Sequence, residues 1–522
     1  MRFIMGNHSG VYAVTSKTLA EYDQVPYLAN PLPQTHPSRL AAIASMFGLS
    51  YVPPKSAKVL ELACASGVNL LGMAHFMPDA QFVGVDLSIV QVHEAQRRAK
   101  AINAKNVTYH HMSIDEIGPD FGQFDYIIAH GVYSWVPNEV QKAILRVCRE
   151  NLSNEGIAFV SYNVLPGWRM KQAARDVFMA LTPPNVPAAA RWEYGINWIK
   201  EMMEINKAEE KKPLLHQTIA NDLENILLKK DFRYLAHEYL AGHNEPLLFR
   251  EFLNHMNDAE LTYLGDAEPS SMVRHLTNPK LQEFFKKHPP GGMAETEQTI
   301  DIIAGRTFRQ SLMVKGSRKA KMNRALTPEF FKNLHIQTRM AKTTEQDGQV
   351  KYLHQKHGPI NASPPYGTGA LEVLIELAGM PAPYKSLFDK FAEATQGTEP
   401  MFAEILFSLL GMNVIDIFAE PYMPKLPKGA TLLAVLDAES GRNVTTNAVG
   451  EAIGLDPLQI LMLPLLKGNW DREEAITKLV SMHSKGLFNI NPTPADDEQM
   501  KQVLGSILDK SESFLKTFGV VG

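Results

Sequence analysis

Short apolar runs alternate with amphipathic stretches over the first third of the chain. The runs have the length of buried strands and fall at 59–62, 82–85, 107–111, 124–130 and 156–164. Helical periodicity separates them. Ser88 and Gln91 have the spacing of a capping box at the start of one helix, and Pro137 opens another. Strands and helices that alternate at this spacing predict a doubly wound α/β sheet with helices on both faces.

The pattern changes after the fifth apolar run. Residues 170–235 are helical in pattern, with a break at Pro183-Pro184, and residues 246–268 are strand-like again. A new unit begins near residue 290. Its candidate strands, the last of which follows a hairpin turn at Asp347-Gly348, are Thr307–Lys315, His335–Ala341 and Val350–His354.

The last 150 or so residues, 370–522, are mainly helical, with Pro/Gly breaks near 380, 412 and 424–429. Several short helices followed by the stretch VSMHSKGLFNINP predict a winged-helix-like unit at the C-terminal end.

Composition narrows the class of protein. A chain of 522 residues corresponds to about three domains, and 45% hydrophobic with 21% charged residues is ordinary for a globular protein. The net charge of −4 gives no whole-chain signal for nucleic acid or an anionic membrane. Two cysteines cannot form a disulfide framework, the N-terminus lacks a signal-peptide core, and no apolar stretch is long enough to span a bilayer. We therefore expect a cytoplasmic protein without membrane insertion.

The loop after the first strand has the features of a nucleoside pocket. The strand ends in Glu61–Gly67, and a second strand ends in Asp86, 19 residues after Gly67. Small residues let the backbone approach a ligand, and an acid at the tip of the second strand receives ribose hydroxyls. The loop reads A-C-A-S-G with a single glycine, unlike the G-x-G-x-x-G loop that seats a pyrophosphate on a helix N-terminus.

This loop resembles motif I of class I S-adenosylmethionine methyltransferases. The family usually has glycine where this chain has Ala63 and Ala65, and the two alanines slightly narrow the pocket. The resemblance implies S-adenosylmethionine as cofactor. Glu61 would hold its amino group, Gly67 would permit close approach, Asp86 would take the ribose and Leu87 would line the adenine. Many relatives place an aspartate where this chain has Ser113, with Asp115 two residues later, and which residue contacts the adenine amine stays open. The candidate cofactor-binding residues in the core are Glu61, Ala63, Ala65, Gly67, Asn69, Asp86, Leu87, Ser113, Ile114 and His130.

Aromatic residues follow the fourth and fifth strands in the motifs HGVYSWVP (130–137) and SYNVLPGW (161–168). The carboxyl ends of such strands border the ligand crevice, so Tyr133 and Trp135 would face the sulfonium or the methyl acceptor. Aromatic faces stabilise a nearby cation by about 0.5–2 kcal/mol. Tyr133, Trp135 and Asn163 are the candidate catalytic residues, with Tyr162 and Trp168 on the same rim. Ordinary core packing is the alternative for each aromatic ring.

Further motifs sharpen the resemblance: YDQVPY (22–27), PQTHPSRLAAIASMFG (33–48), LAHEYLAGHNEPLLFREFL (235–253) and TFRQSLMV (307–314). Together with the two aromatic motifs, they resemble bacterial methyltransferases that carry a methyltransferase regulatory domain. They are similar in particular to rickettsial protein-lysine methyltransferases that act on an outer-membrane protein.

The resemblance implies a seven-stranded methyltransferase sheet with a helical insertion, completed near Thr262–Leu264, and a C-terminal domain. The domain boundaries that we expect are 1–50 for an N-terminal helical lid, 51–169 with 236–275 for the core, 170–235 for the insertion, 290–370 for an α+β linker domain and 371–522 for the C-terminal domain. The lid would fold over the cofactor with Tyr22, Tyr27, Gln34, His36 and Arg39, of which Arg39 would pair with the methionine carboxylate. Capping and packing of the first helix is the alternative for these residues.

Three functions remain open from the sequence. The first is methyl transfer to a protein lysine by in-line attack, which the large mass outside the core favours. The second is small-molecule N- or O-methylation, and the third is cofactor binding without catalysis. We expect no metal, because the second histidine after His237-Glu238 is His243, on the wrong face of a helix for a zinc site.

The partners expected from the sequence are a protein substrate and, as a further candidate, a second copy of the chain. Nucleic acid is not expected, because no basic recognition helix is evident in the winged-helix-like unit: the helix near 457–466 is apolar. The segment 305–324 holds seven Lys/Arg and no acid, so it is either a basic patch or a solvated loop.

Overall fold

The computed structural model describes residues 25, 27, 29–182, 186–207, 214, 217–219, 232–344, 349–424, 426, 428–491 and 494–522. Tyr22 and the turn at Asp347-Gly348 lie outside these described residues.

A Rossmann-like domain forms the first part of the described chain. In chain order its elements are α1 (Pro37–Met46), β1 (Lys58–Leu62), α2 (Val68–Phe76), β2 (Gln81–Asp86), α3 (Ile89–Ala101), β3 (Val107–His111), β4 (Phe124–Ala129), α4 (Asn138–Glu150) and β5 (Leu152–Asn163). The strand–helix alternation of the sequence is therefore the alternation of the fold.

Helices then separate the fifth strand from the last two strands of the same sheet. The elements are α5 (Arg169–Leu181), α6 (Ala188–Lys207), α7 (Phe232–Leu240), α8 (Phe249–Asp258), β6 (Leu261–Asp266), α9 (Pro269–Thr277), α10 (Pro279–Lys287), α11 (Met293–Ala304) and β7 (Phe308–Lys315). Helices α5 to α7 pack around Phe178, Ile199 and Tyr239 in a small core of their own.

The seven strands lie in the order β3-β2-β1-β4-β5-β7-β6. Strands β1 to β5 pair in parallel, and β7 runs antiparallel to both of its neighbours. The order reverses between β1 and β4, and a ligand crevice lies outside the carboxyl ends of the strands at such a point. The predicted fold class, a doubly wound seven-stranded methyltransferase sheet, is confirmed.

One expected boundary is wrong. We expected Thr307–Lys315 to open a separate unit after residue 290, but Phe308–Lys315 is strand β7 and lies between β5 and β6. Side-chain contacts of Arg309 help to hold strand β7 at this position. Arg309 is fully buried and donates to Asp301 at 2.8 Å and to Glu297 at 2.7 Å, both on α11. Its guanidinium also lies 3.9 Å from the ring centre of Phe249, which packs β7 against the helices.

The remainder of the described chain is mainly helical with small sheets. Its elements are β8 (His335–Thr338), β9 (Met340–Thr344), β10 (Val350–His354), β11 (Gly358–Ile360), α12 (Tyr366–Leu377), β12 (Ala382–Pro383), α13 (Tyr384–Thr395), α14 (Glu399–Gly411), β13 (Ile415–Phe418), α15 (Leu432–Glu439), β14 (Val444–Thr446), β15 (Ala452–Gly454), α16 (Pro457–Met462), α17 (Arg472–Ser484) and α18 (Asp497–Thr517). Strands β14 and β15 pair antiparallel beside α15 to α18, as the wing of a winged helix does.

The basic segment after β7 contributes to packing. Arg318 donates to the carbonyl of Gly156 at 3.2 Å, and Arg324 donates to the carbonyl of Leu264 at 2.6 Å. Arg318 and Arg324 therefore bond to backbone carbonyls of β5 and β6, and Arg318 is buried rather than part of the solvated loop expected for this segment. Among the residues described, no helix is long and apolar enough to cross a membrane.

Candidate active site

The loop between β1 and α2 has an unusual backbone. Ala63, Ala65 and Gly67 have φ angles of 57°, 47° and 67°, in the left-handed region that favours glycine. Asp86 stabilises this shape from the tip of β2, because its Oδ2 accepts a hydrogen bond from the amide of Ala65 at 2.8 Å. The two alanines therefore adopt a backbone conformation that glycine adopts more easily, and they turn the loop tightly around the end of β1.

Gly67 has no room for a side chain. A Cβ there would lie 2.5 Å from the ring of Tyr109, whose hydroxyl donates to the carbonyl of Gly67 at 3.0 Å. Gly67 also starts helix α2, so the loop, β3 and the helix meet at this residue.

Glu61 is a buried carboxylate with one unused oxygen. Its Oε1 accepts from Asn69 Nδ2 at 2.9 Å, and its Oε2 has no hydrogen-bond partner among the described residues. Burial is the main reason that the pKa of Glu61 is raised to about 8. The Asn69 hydrogen bond lowers this pKa, and the nearby Asp86 carboxylate raises it. A ligand ammonium would supply both the missing hydrogen bond and the missing charge, so the residue fits the amino group of S-adenosylmethionine.

The ribose and adenine side of the crevice is formed by the ends of β2 and β3. The Oδ1 of Asp86 accepts from the amide of Ser88 at 2.9 Å, and the carbonyl of Leu87 lies 3.0 Å from His111 Nε2. The hydroxyl of Ser113 hydrogen-bonds to the carboxylate of Asp115, so the two candidates for the adenine contact lie together. Ile114 is buried in the core beneath them.

Residues 29–36 of the N-terminal segment lie against the crevice and include a turn of 3₁₀ helix, Pro33–Thr35. We call these residues the strap. The amide of Leu32 donates to Asn69 Oδ1 at 3.0 Å, and Asn69 Nδ2 donates to the hydroxyl of Thr35 at 3.0 Å. Gln34 Nε2 lies 3.3 Å from His130 Nε2 at the end of β4. The strap therefore brings Gln34, Asn69 and His130 together.

His130 is neutral in this setting. Burial lowers its pKa to about 4, and its ring lies between Phe159 and Phe308, with ring centres at 5.9 Å and 5.8 Å. It offers a hydrogen-bonding nitrogen without a charge at the floor of the crevice.

His36 and Arg39 have partners within the chain. Nδ1 of His36 accepts from the amide of Ser38 at 3.2 Å and caps α1, and burial followed by the Arg39 charge lowers its pKa to about 3. Arg39 pairs with Asp416, and its guanidinium lies 5.2 Å from the ring centre of Phe418. Asp416 accepts from this guanidinium, and the capping and packing alternative describes the observed contacts of both residues, whereas the pairing of Arg39 with the methionine carboxylate stays a prediction.

Tyr133 is placed differently from the expectation. Its side chain is fully buried and packs edge-on against Phe252, with ring centres 5.3 Å apart. Its hydroxyl lies 3.1 Å from Nδ1 of His255 on α8. Tyr133 therefore packs beneath the rim, and Tyr162, stacked on Phe252 at 4.2 Å, does the same.

Trp135 and Trp168 form the aromatic part of the rim. Trp135 is half-buried, and the two indoles meet edge to face with ring centres 6.2 Å apart. Lys171 Nζ lies 4.9 Å from the ring centre of Trp168, and the guanidinium of Arg175 lies 5.9 Å from that of Trp135. Both cations also have polar partners, since Lys171 pairs with Glu238 at 3.5 Å and Arg175 donates to the carbonyl of Glu238 at 3.5 Å. The aromatic pair therefore contributes one side of the environment of each cation.

Asn163 lies at the end of β5 and, like Glu61, has a side-chain atom without a hydrogen-bond partner among the described residues. Its side chain is 2% exposed, and its Nδ2 has no partner in the part of the chain that the structure describes. Its backbone is fixed on both sides: the amide donates to Ser134 Oγ at 2.9 Å, and the carbonyl accepts from Leu247 at 3.0 Å.

The segment 243–247 was not among the predicted site residues. Trp168 Nε1 donates to Asn244 Oδ1 at 2.9 Å, and the amide of Glu245 donates to the carbonyl of Ser134 at 2.7 Å. Nε2 of His243 lies 3.7 Å from the Glu245 carboxylate. The polar run HNE after α7 is the signal that would have pointed to it. Within the described ranges, no three His, Cys, Asp or Glu side chains form a group that could hold a metal.

Three family models match separate parts of the chain. A methyltransferase domain matches residues 59–156, a predicted methyltransferase regulatory domain matches 231–315, and a PKMT C-terminal winged helix domain matches 427–517. The first match covers the crevice, and the third confirms the predicted winged helix. S-adenosylmethionine is therefore the cofactor of this domain, and it supplies an activated methyl group when bound.

Several similar proteins come from Rickettsia. The uncharacterized protein RP789 of Rickettsia prowazekii is 31% identical over 495 residues, which is 90% of this chain and 87% of the relative. The uncharacterized protein RP028 of the same organism is 35% identical over 44% of this chain and 92% of its own. PKMT2 from Rickettsia typhi, solved in complex with AdoHcy, has a TM-score of 0.82 at 23% identity, covering 95% of this chain and 100% of that one. The chain belongs to the family of S-adenosylmethionine-dependent methyltransferases that combine this core with a methyltransferase regulatory domain and a PKMT winged helix.

Proposed function

We propose that this methyltransferase transfers the methyl group to the side-chain amine of lysine in a protein. The observation that carries the proposal is the rim formed by Trp135 and Trp168, on which the ammonium of Lys171 already rests at 4.9 Å. A long cationic side chain from a substrate has the same chemistry as Lys171 and would find the same aromatic attraction, of about 0.5–2 kcal/mol. The likeness to a structure described as PKMT2 supports the same acceptor class.

For methyl transfer the protein mainly has to align the lysine nitrogen with the methyl group. The lysine nitrogen attacks the methyl carbon in line with the carbon–sulfur bond, whose electron pair leaves with the sulfur, and the methylated nitrogen then carries the positive charge. Holding the two reactants in line can contribute several kcal/mol, of the order of 7–11 in well-oriented reactions.

The lysine ammonium must lose its proton, which water can accept, before the neutral nitrogen attacks. Removal of water by the strap and the buried floor favours the neutral amine, because burial disfavours a charged ammonium. Asn163 would contact the amine through its side-chain amide, whose oxygen can accept a hydrogen bond from the substrate nitrogen, and its backbone is fixed by Ser134 and Leu247.

The test is transfer of labelled methyl from S-adenosylmethionine into extract of the native host. We expect label in acid-precipitated protein, mapped to lysine, with loss of the label in Asp86→Ala. Asp79→Ala is the matched control, because Asp79 is an exposed aspartate in the turn before β2. Label confined to the small-molecule fraction would replace the lysine proposal with small-molecule methylation, and intact cofactor binding without label in either fraction would favour a binding role.

A further inference from the structure

The strap is held from two sides. Its inner side bonds to the crevice through Leu32 and Thr35, both joined to Asn69 at 3.0 Å. Asn69 in turn donates to Glu61 at 2.9 Å. Any shift of the strap therefore changes the groups around the carboxylate that faces the ligand amine.

The outer side of the strap bonds to the C-terminal region. Nη2 of Arg442, in the winged helix, donates to the carbonyl of Ala29 at 2.7 Å. The ring of His36 packs against Gly450, where a Cβ would lie 3.3 Å from His36 Cδ2. Directly after the strap, the hydroxyl of Ser38 donates to the carbonyl of Ala419 at 2.6 Å. The winged helix and the segment before it thus form the outer wall against which the strap lies.

The winged helix is itself fixed to the methyltransferase core. Asp437 on α15 accepts from Arg98 on α3 at 2.6 Å, and these side chains are 3% and 2% exposed. Nε of Arg442 lies 3.3 Å from the same carboxylate. On α2, a Cβ at Gly72 would lie 2.6 Å from the methyl of Thr446, so the two domains touch closely here.

We propose that the winged-helix domain is part of the methyl-donor site, and that Arg442 is a positioning residue that holds the strap closed over the cofactor. The contacts form one continuous path from Arg442 through Ala29, Leu32 and Asn69 to Glu61. This role goes beyond the choice of methyl acceptor and does not depend on it.

The path has a thermodynamic consequence in both directions. If docking of the winged helix favours the closed strap, a bound cofactor favours docking of the winged helix by the same factor. S-adenosylhomocysteine should then slow hydrogen exchange of the amides in β14 and β15, which lie far along the chain from the crevice.

The first variant is Arg442→Met, which keeps the length of the side chain and removes its donors. Asp437 keeps its partner Arg98 in this variant, so the domain is expected to fold. We expect the Kd for S-adenosylhomocysteine to rise about tenfold, which corresponds to about 1.4 kcal/mol. The rate at saturating S-adenosylmethionine should stay within about twofold of wild type, because the acceptor rim is untouched.

The matched control is Arg472→Met in the same domain. Arg472 pairs with Asp509 at 2.9 Å on the exposed surface, away from the strap. This variant should leave the Kd unchanged. Arg442→Lys, which keeps a cation beside Asp437, should recover part of the affinity.

Thr35→Val tests the route. If Arg442 acts through the strap, the effects of Arg442→Met and Thr35→Val on Kd will be less than additive in the double variant. A wild-type Kd in a folded Arg442→Met protein would overturn the proposal. Equal losses in Arg442→Met and Arg472→Met, or exchange in β14 and β15 that ignores the ligand, would overturn it as well.

Discussion

The buried carboxylate of Glu61 makes cofactor binding depend on pH in a direction that the structure determines. The free site holds a proton on Glu61, because burial raises its pKa to about 8. The ammonium of the ligand needs the ionised carboxylate. Binding therefore has to remove the proton, and affinity should rise with pH up to about 8, above which the ligand's own amino group loses its proton and affinity falls again.

The magnitude follows from the fraction that is ionised. With a pKa of about 8, about one tenth of Glu61 is charged at pH 7, so each pH unit below 8 should weaken binding about tenfold, or about 1.4 kcal/mol. About 0.9 proton should leave the protein for each ligand bound at pH 7. His130 and His36, with pKa values of about 4 and about 3, stay neutral over this range and do not obscure the titration.

Calorimetric titration with S-adenosylhomocysteine between pH 6 and 9 measures both quantities, since the apparent enthalpy in buffers of different ionisation heat reports the released proton. Glu61→Gln is the matched variant, because it keeps the shape and the Asn69 contact but cannot ionise. It should bind more weakly at pH 8 and show no slope between pH 6 and 7, where the ligand's amino group stays charged.

Stability gives an independent reading of the same proton. The folded protein keeps the proton on Glu61 up to about pH 8, whereas a model glutamate releases it near 4.5. The unliganded fold therefore loses stability as pH rises from about 4.5 to 8, and Glu61→Gln should raise the Tm at pH 8. A flat Kd profile in wild type, or the same slope in Glu61→Gln, would refute the assignment of Glu61 as the ammonium site.

The remaining predictions concern the loop, the sheet edge and the rim. Ala65→Gly should stabilise the unliganded protein by about 1 kcal/mol in a denaturant titration, because the φ of 47° strains an alanine. Arg309→Met should cost about 3–5 kcal/mol by the same measurement, since it leaves Glu297 buried without its cation and Asp301 with Arg306 alone; a loss below about 1 kcal/mol would contradict this. Trp135→Ala should raise the KM for a lysine-containing protein about tenfold with an unchanged Kd for S-adenosylhomocysteine, whereas Tyr133→Phe should alter transfer less than about threefold.

The cofactor half of the site could be predicted from the sequence because it is local. Glu61, Gly67 and Asp86 lie on two consecutive strands, and the spacing of strand, loop and strand already places them at one edge of the sheet. The alternation of apolar runs in the first third of the chain predicts β1 to β5 for the same reason.

The contacts that were not predicted join residues that are distant along the chain. Arg39 bonds to Asp416, 377 residues away, and no local pattern indicates that partner. Strand β7 pairs with β5 and β6 across intervening helices, and its position depends on the ion pairs of Arg309 with α11. Tyr133 and Trp135 lie in one turn of 3₁₀ helix, Tyr133–Trp135. With three residues in each turn, side chains two positions apart point about 120° apart, so both could not face the crevice.

The two functions of Asp86 explain how a loop with alanines at left-handed positions persists. Each such alanine costs on the order of 1–3 kcal/mol, which surrounding contacts must offset. The Asp86 carboxylate supplies two of these contacts, accepting from the amides of Ala65 and Ser88 at 2.8 and 2.9 Å. It is also the expected acceptor for the ribose hydroxyls. The group that would recognise the ligand is therefore the group that shapes the loop around it, so the pocket is formed before the ligand arrives. The strap would close that pocket. Its position depends on contacts with the winged helix and the segment before it.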